Sequence, residues 1–418
     1  MQKNDRKEVH RLKKSLLTGI ISSLLILISL VFTGCGESVQ TFKNNDKTVK
    51  VGLLHSLSGT MSFSEIPVRD AEKLAIEEIN ANGGILGKKI EIVEEDGRSD
   101  PSIFATQAQK LLETEGATTI FGCWTSASRK AVIPIMEEHN ALLWYPVQYE
   151  GFESSPNVVY TGSTLNQQVV PVIDYLLQNG RKRMFLLGND YVFPRTANAV
   201  IKAQLAAHGG ECVGEEYKPL GHTDYSDVIA KIKALRPDII INTLNGDANI
   251  GFFRQLKSTG ITAQEIPVMS FSLAEIEIQY IGAENLIGHM TAWSYYETLD
   301  NSINQKFVSV YKKNYGNEKI TDDPMEAAYD AVYLWKEAVE KANSFDTEKV
   351  REALAGLTLN SPEGEIKIDE KNQHLHRKLR IGRINSTGLI DTIKTISSIQ
   401  PDPYLETYDW AKGIVPQE

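Results

Sequence analysis

The stretch Ile120-Phe-Gly-Cys-Trp-Thr-Ser-Ala-Ser-Arg-Lys130 decides how the chain is read. Its apolar start, Thr119 to Phe121, has the composition of a buried strand, and Gly122 stops it. From Ser126 onward, Ala127, Ala131, Val132 and Ile135 recur at helical spacing and mark one apolar face. A strand that runs into a helix leaves unpaired backbone N–H groups at the positive end of the helix dipole. Such a turn can hold a carboxylate, a phosphate or the oxygen of a polarised carbonyl. Here it also carries a flat aromatic, Trp124, and two hydroxyls, Thr125 and Ser126. One βα unit later, Ala141-Leu-Leu-Trp-Tyr-Pro-Val-Gln-Tyr-Glu-Gly151 ends a second strand in aromatic and amide side chains. Trp124, Tyr145, Gln148 and Tyr149 are therefore expected to form one wall of a small polar pocket.

Around this centre, short apolar runs alternate with amphipathic stretches. Val49 to His55, Lys89 to Val93 and Leu142 to Tyr145 read as strands; Val68 to Ile79 and Ile103 to Leu112 read as the helices between them. The pattern restarts after Gly162. Strands are expected at Arg183 to Gly188, Cys212 to Tyr217, Ile239 to Leu244 and Val268 to Phe271, with helices following each. This order predicts an α/β fold of two lobes, each a parallel sheet flanked by helices. Helices over Asn304 to Asn314, Met325 to Ala342 and Thr347 to Ala355 predict a return to the first lobe. The expected division is 48–162 with 295–368 for lobe 1, and 163–294 with 369–410 for lobe 2. Chain crossings near Gly162, Trp293 to Tyr296 and Asp369 would make a multi-strand hinge.

The chain opens with Lys3, Arg6, Lys7, Arg11, Lys13 and Lys14, then an apolar run from Leu16 to Phe32 and the sequence Thr33-Gly34-Cys35-Gly36. These are the parts of an export signal, and Cys35 directly after Phe-Thr-Gly resembles the lipidated first residue of a bacterial lipoprotein. Residues 1–34 are read as the signal peptide and 35–47 as a polar tether, with the membrane reached through a lipid on Cys35. Residues 1–34 hold six basic and two acidic side chains, a surplus of four positive charges. The remainder would carry about −14 against −10 for the whole chain. An acidic, exported chain has no electrostatic basis for holding nucleic acid.

Catalytic and cofactor patterns fail on inspection. Gly83-Gly-Ile-Leu-Gly-Lys-Lys89 looks like a phosphate loop but follows a helix and lacks Ser or Thr after Lys88. No Gly-x-Ser-x-Gly elbow, zinc-type His-Glu-x-x-His or dinucleotide fingerprint is present. His374 and His376 read as solvated loop residues among Gln, Arg and Lys. Cys123 and Cys212 read as packing residues. No catalytic residue, metal or cofactor is assigned, and the expectation is a binding protein rather than an enzyme.

Five motifs in order, Gly122-Cys-Trp-Thr-Ser-Ala-Ser-Arg-Lys-Ala131, Tyr145-Pro-Val-Gln-Tyr-Glu-Gly151, Asn189-Asp-Tyr-Val-Phe-Pro-Arg-Thr196, Pro219-Leu-Gly-His-Thr-Asp224 and Asn242-Thr-Leu-Asn-Gly-Asp247, resemble the urea-binding proteins of bacterial urea ABC transporters. More loosely, the chain is similar to amide-sensing regulators and branched-chain amino acid receptors of the same type-I periplasmic-binding fold. The resemblance runs from about Val49 to Tyr408. It implies a two-lobed receptor, lipid-anchored outside the cell membrane, that closes on urea or a similar small amide and presents it to ABC permease subunits. It also implies a first-lobe wall of Trp124, Ser126, Tyr145 and Gln148, completed from the second lobe by Tyr191, Asn245 and Asp247.

These side chains suit urea, a planar neutral molecule with four N–H donors and one strong acceptor. Asp247, Asn245 and Gln148 can accept from its amides, Ser126 and the helix N–H groups can donate to its oxygen, and Trp124 and Tyr145 can stack on its faces. Plainer roles stay open. Trp124 and Tyr145 would also serve as core or lobe-interface aromatics, and Asp247 as the cap of the helix from Ala248. Asp190 would order its own turn, and Arg129 and Lys130 would be solvated or salt-bridged. A receptor for short-chain amides or branched-chain amino acids, or the sensor of a signalling system, are the rival readings.

Overall fold

A computed structural model describes residues 47–417. The expected signal segment, Cys35 and all of the tether except Lys47 lie outside the described residues. The first sheet is built from β1 (Thr48–His55), β2 (Lys89–Asp96), β3 (Thr119–Gly122), β4 (Leu142–Tyr145) and β5 (Val158–Tyr160). All are parallel, in the order β2-β1-β3-β4-β5. Between them run α1 (Ser62–Ala81), α2 (Pro101–Glu113) and α3 (Ser126–Glu138). Helix α2 starts where its sequence says it should. The Asp100 carboxylate accepts from the N–H of Ser102 at 2.8 Å, and Pro101 occupies the first turn, where no N–H is needed.

The second sheet contains β6 (Arg183–Asn189), β7 (Glu211–Lys218), β8 (Ile239–Thr243), β9 (Val268–Ser270) and β10 (Met290–Trp293), again parallel to one another. Its helices are α4 (Val169–Gln178), α5 (Val192–His208), α6 (Ser226–Leu235), α7 (Ala248–Ser258) and α8 (Glu275–Ile281). Every residue of β8 is buried; its three isoleucines suit a strand covered on both faces, and the buried Asn242 and Thr243 that end it are hydrogen-bonded. Each such isoleucine side chain contributes about 1.5–3 kcal/mol of apolar burial.

The chain then returns through α9 (Ser302–Tyr315), α10 (Asp323–Ala342) and α11 (Thr347–Leu354). Val332, Trp335 and Val339 of α10 join the same core as Leu74 and Ile76 of α1, and the Tyr333 hydroxyl donates to Glu78 at 2.8 Å. Four antiparallel strands follow: β11 (Thr358–Ser361), β12 (Gly364–Ile368), β13 (Leu375–Ile384) and β14 (Ile390–Ile399). Strand β13 pairs antiparallel with β10 and so attaches this group to the second sheet. Ile366 and Ile368 nevertheless pack into the first core.

The structure departs from the sequence reading in two ways. Strands β5, β10 and β11, of three, four and four residues, were not expected, because runs this short carry no period. His374 is not solvated. It is fully buried, its ring stacks on Tyr160 at 4.1 Å, and its Nε2 is 2.5 Å from the Tyr149 hydroxyl. Burial pushes this imidazole down to about 4. The polar neighbours in sequence point elsewhere, while a backbone bridge to Tyr160 carries the ring inward.

Candidate functional site

The β3–α3 turn depends on one glycine. Gly122 has φ +148°, and a Cβ there would sit 2.0 Å from the Leu54 carbonyl oxygen. Cys123 follows in the left-handed region, φ 65°, and its N–H donates to that same oxygen at 2.9 Å. The reversal turns Trp124 and Ser126 to the end of the sheet. Thr125 caps α3, its hydroxyl accepting from the Ser128 N–H at 3.1 Å. Ser126, the first residue of α3, is not used in capping, and its hydroxyl donates to a carboxylate oxygen of Glu150.

One turn into α3 stands Arg129, fully buried. Its Nη2 donates to Glu150 at 2.9 Å, its Nε to Glu153 at 2.8 Å and its Nη1 to Ser126 at 3.2 Å. The guanidinium also lies over the rings of Tyr145 and Tyr149, at 4.8 and 4.5 Å. Burial opposes its charge, yet Glu150 and then Glu153 hold it protonated well above the ordinary range. The same pairing, against the opposite pull of burial, keeps Glu153 below the usual carboxylate range. Of the expected roles, Arg129 takes the salt-bridged one, buried rather than on the surface.

The second lobe meets this wall directly. Trp124 Nε1 donates to Asn245 Oδ1 at 3.4 Å, and the Trp124 carbonyl accepts from the Tyr145 hydroxyl at 2.5 Å. Gln148 Nε2 donates to the Phe271 carbonyl at 3.0 Å and to the Ser272 hydroxyl at 2.8 Å. Asn245 is itself fixed by its N–H to Asn189 Oδ1, at 2.7 Å. Gly246, at φ +61°, lets the backbone come close: a Cβ there would be 2.9 Å from the Met61 sulfur and 3.0 Å from the Thr60 carbonyl. Tyr191 is partly buried. Burial first, then Tyr145 and Glu150, push its phenol well above the ordinary range, with Arg129 and Asn245 opposing.

Of the seven predicted contact residues, Trp124, Ser126, Tyr145, Tyr191 and Asn245 gather around the Arg129–Glu150 pair. Gln148 sits beside them but turns its amide nitrogen across to the second lobe. Asp247 lies apart from this group. It occupies the position before α7 without a side-chain capping bond, and its Oδ1 is buried with no partner. Burial raises its carboxyl above the ordinary value. Its charge is felt by Tyr225, whose buried hydroxyl also lacks a partner. Asp190 pairs with Arg195 at 2.5 Å on the surface. Glu150 was missed. It lies inside the quoted motif, and an acid flanked by Tyr149 and Gly151 gives no sign of its distant guanidinium partner.

The whole two-sheet body, residues 49–409, matches the family model described as a periplasmic binding protein domain. The chain belongs to the periplasmic binding protein family. Within it, the Leu/Ile/Val-binding protein homolog 6 of Brucella melitensis is 26% identical over 345 residues, 80% of this chain and 87% of that relative. A solute-binding protein of an ABC transporter from R. palustris, solved in complex with 4-hydroxybenzoate, is 25% identical with a TM-score of 0.78, covering 86% of this chain and 100% of the other. A leucine-binding protein of Thermotoga maritima shares the type-I fold at 23% identity and TM-score 0.70, over 83% and 98% of the two chains. The contact between Trp124 and Asn245 joins the end of the first sheet to the end of the second. Among the described residues no helix is long and apolar enough to cross a membrane.

Proposed function

We propose that the chain is the extracytoplasmic solute receptor of an ABC importer and that its ligand is urea or a similarly small amide. The receptor role is supported by the relatives, one of them the solute-binding protein of an ABC transporter. The ligand class rests on one observation: the polar atom left over at the lobe contact, Gln148 Oε1, is an acceptor, while the cation is already paired. Gln148 Oε1 is buried there without a partner, and every nitrogen of Arg129 has a protein acceptor. Buried acceptors call for N–H donors, and each one left unmatched costs on the order of 1–3 kcal/mol. Urea supplies four such donors and only one acceptor, for which the α3 N-terminus is available. Closure then follows from contacts to both lobes, which stabilise the closed form over the open one. We further propose the lipid anchor on Cys35, which would hold the receptor beside its permease.

A second reading, a receptor for branched-chain amino acids or aromatic acids, draws on the names of the relatives. Such ligands bring a carboxylate, which needs a cation or unpaired donors. Calorimetric titration of the full chain, purified in detergent, with urea, acetamide, leucine and 4-hydroxybenzoate separates the two. One-to-one binding of urea, weakened in Gln148→Leu and Tyr191→Phe, is expected. Heat with leucine or 4-hydroxybenzoate and silence with urea would sink the ligand and leave the receptor. Ammonia released from urea would instead make the chain an enzyme.

A further inference from the structure

We infer that Glu150 sets which class of ligand the cleft accepts: by occupying Arg129 and Ser126 it denies the first-lobe wall a cation and a free hydroxyl, and so excludes carboxylates. This rests on the small-amide reading above. The wall has the parts of a carboxylate site: a helix N-terminus, a hydroxyl at its first residue and a guanidinium one turn further along. In this chain Glu150 fills it. One Glu150 oxygen takes the Ser126 hydroxyl and the other takes Arg129 Nη2 at 2.9 Å, with both Glu150 and Arg129 fully buried. Glu153 takes the far side of the guanidinium, at 2.8 Å from Nε, and Lys130 Nζ stands 3.3 Å from Glu153. The two cations and two carboxylates of the cluster cancel. A second carboxylate would enter beside Glu150 with no opposing charge, and like charges placed together are a strong means of rejecting a ligand. A neutral donor meets no such penalty.

The inference predicts an exchange of ligand class. Glu150→Gln keeps the shape, leaves the cluster with one net positive charge and retains only one acceptor oxygen, so that either Ser126 or Arg129 Nη2 is released. By titration of the full chain, this variant should bind acetate or benzoate at least about tenfold more tightly than the unmodified chain does, and urea at least about tenfold more weakly. Arg129→Gln should act in the opposite sense: with only Lys130 left opposite Glu150 and Glu153, the cluster carries one net negative charge and should bind guanidinium at least about tenfold more tightly than the unmodified chain. A folded Glu150→Gln variant, judged by circular dichroism, that gains no affinity for carboxylates overturns the inference. If that variant does not fold, Arg129→Gln with no gain for guanidinium overturns it, and so does acetate binding by the unmodified chain. Urea binding by the unmodified chain together with an unaltered ligand class in the variants would sink the filter alone. Leucine binding without urea binding would sink the amide reading and the filter with it.

Discussion

The Arg377 guanidinium lies 3.1 Å from the Asp323 carboxylate, and through this pair the segments that follow β5 and β10 are joined to β13. Asp323 Oδ2 accepts from the N–H groups of Ser294 and Tyr295, at 2.8 and 2.9 Å, just after β10. Arg377, on β13, donates to the Thr161 carbonyl just after β5. Glu326 at 3.3 Å and Glu363 at 2.9 Å complete a cluster in which Arg377 is the central cation. The segments after β5 and β10 and strand β13 thus meet at one buried charge cluster.

Arg377→Met should destabilise the chain by about 3–5 kcal/mol, because three buried carboxylates lose their shared partner. Denaturant titration at neutral pH measures it. A smaller loss is expected on acidification, since the stranded carboxylates can then take up protons. A loss under about 1 kcal/mol at neutral pH would show that the pair does not hold the hinge.

Gly246→Ala should leave the lobes folded and disfavour their closure. The residue costs about 1 kcal/mol at positive φ, and its new Cβ would press on Met61, 2.9 Å away in the other lobe. Ligand affinity should fall roughly tenfold, with a thermal midpoint lowered by a few degrees. Unchanged affinity would mean that the observed lobe contact is not the ligand-holding one.

Gln148→Leu removes two hydrogen bonds between the lobes, to Phe271 and Ser272. Ligand should leave at least about tenfold faster, while association changes little. The fluorescence of Trp124, 3.4 Å from Asn245 across the same contact, reports the rate in stopped flow.

His55, at the end of β1, predicts a pH dependence. Its Nε2 is 2.9 Å from Glu72 and its Nδ1 3.7 Å from Glu65, with both acids buried. Burial alone would lower its imidazole, but the two carboxylates outweigh it and raise the value from 6.5 to about 9. A folded value above the unfolded one means that the stabilisation is full below about 6.5 and lost as pH rises through about 9. The thermal midpoint should fall across that window and flatten in His55→Gln. A midpoint that rises with pH there would refute the assignment.

Much of this molecule is legible one segment at a time. The run Ile239 to Ile241 marks a central strand because three consecutive β-branched apolar residues suit burial on both faces, and Gly122 ends β3 because no other residue tolerates the approach of Leu54. The alternation of such runs with amphipathic helices led directly to two parallel sheets, since helix and strand periods are local properties of the chain. Trp124, Ser126 and Tyr145 could be nominated for the same reason: each stands at the C-terminal end of a recognisable strand or the start of a helix.

The pairing of charges was not legible, because it depends on which segments meet. Arg129 finds Glu150 only through the adjacency of β3 and β4, Arg377 finds Asp323 only because β13, paired with β10, passes the start of α10, and His374 is buried only because β5 ends beside it. Asp247 and Asn245 are two residues apart, yet one faces Trp124 and the other Tyr225, a separation set by the turn before α7. The amino-acid sequence by itself determined the elements and the strand ends that carry the site, through local periodicity and turn chemistry. Tertiary structure alone decided which acids and bases cancel, because the electrostatic energy of a buried group depends on its neighbours in space and on the water they exclude.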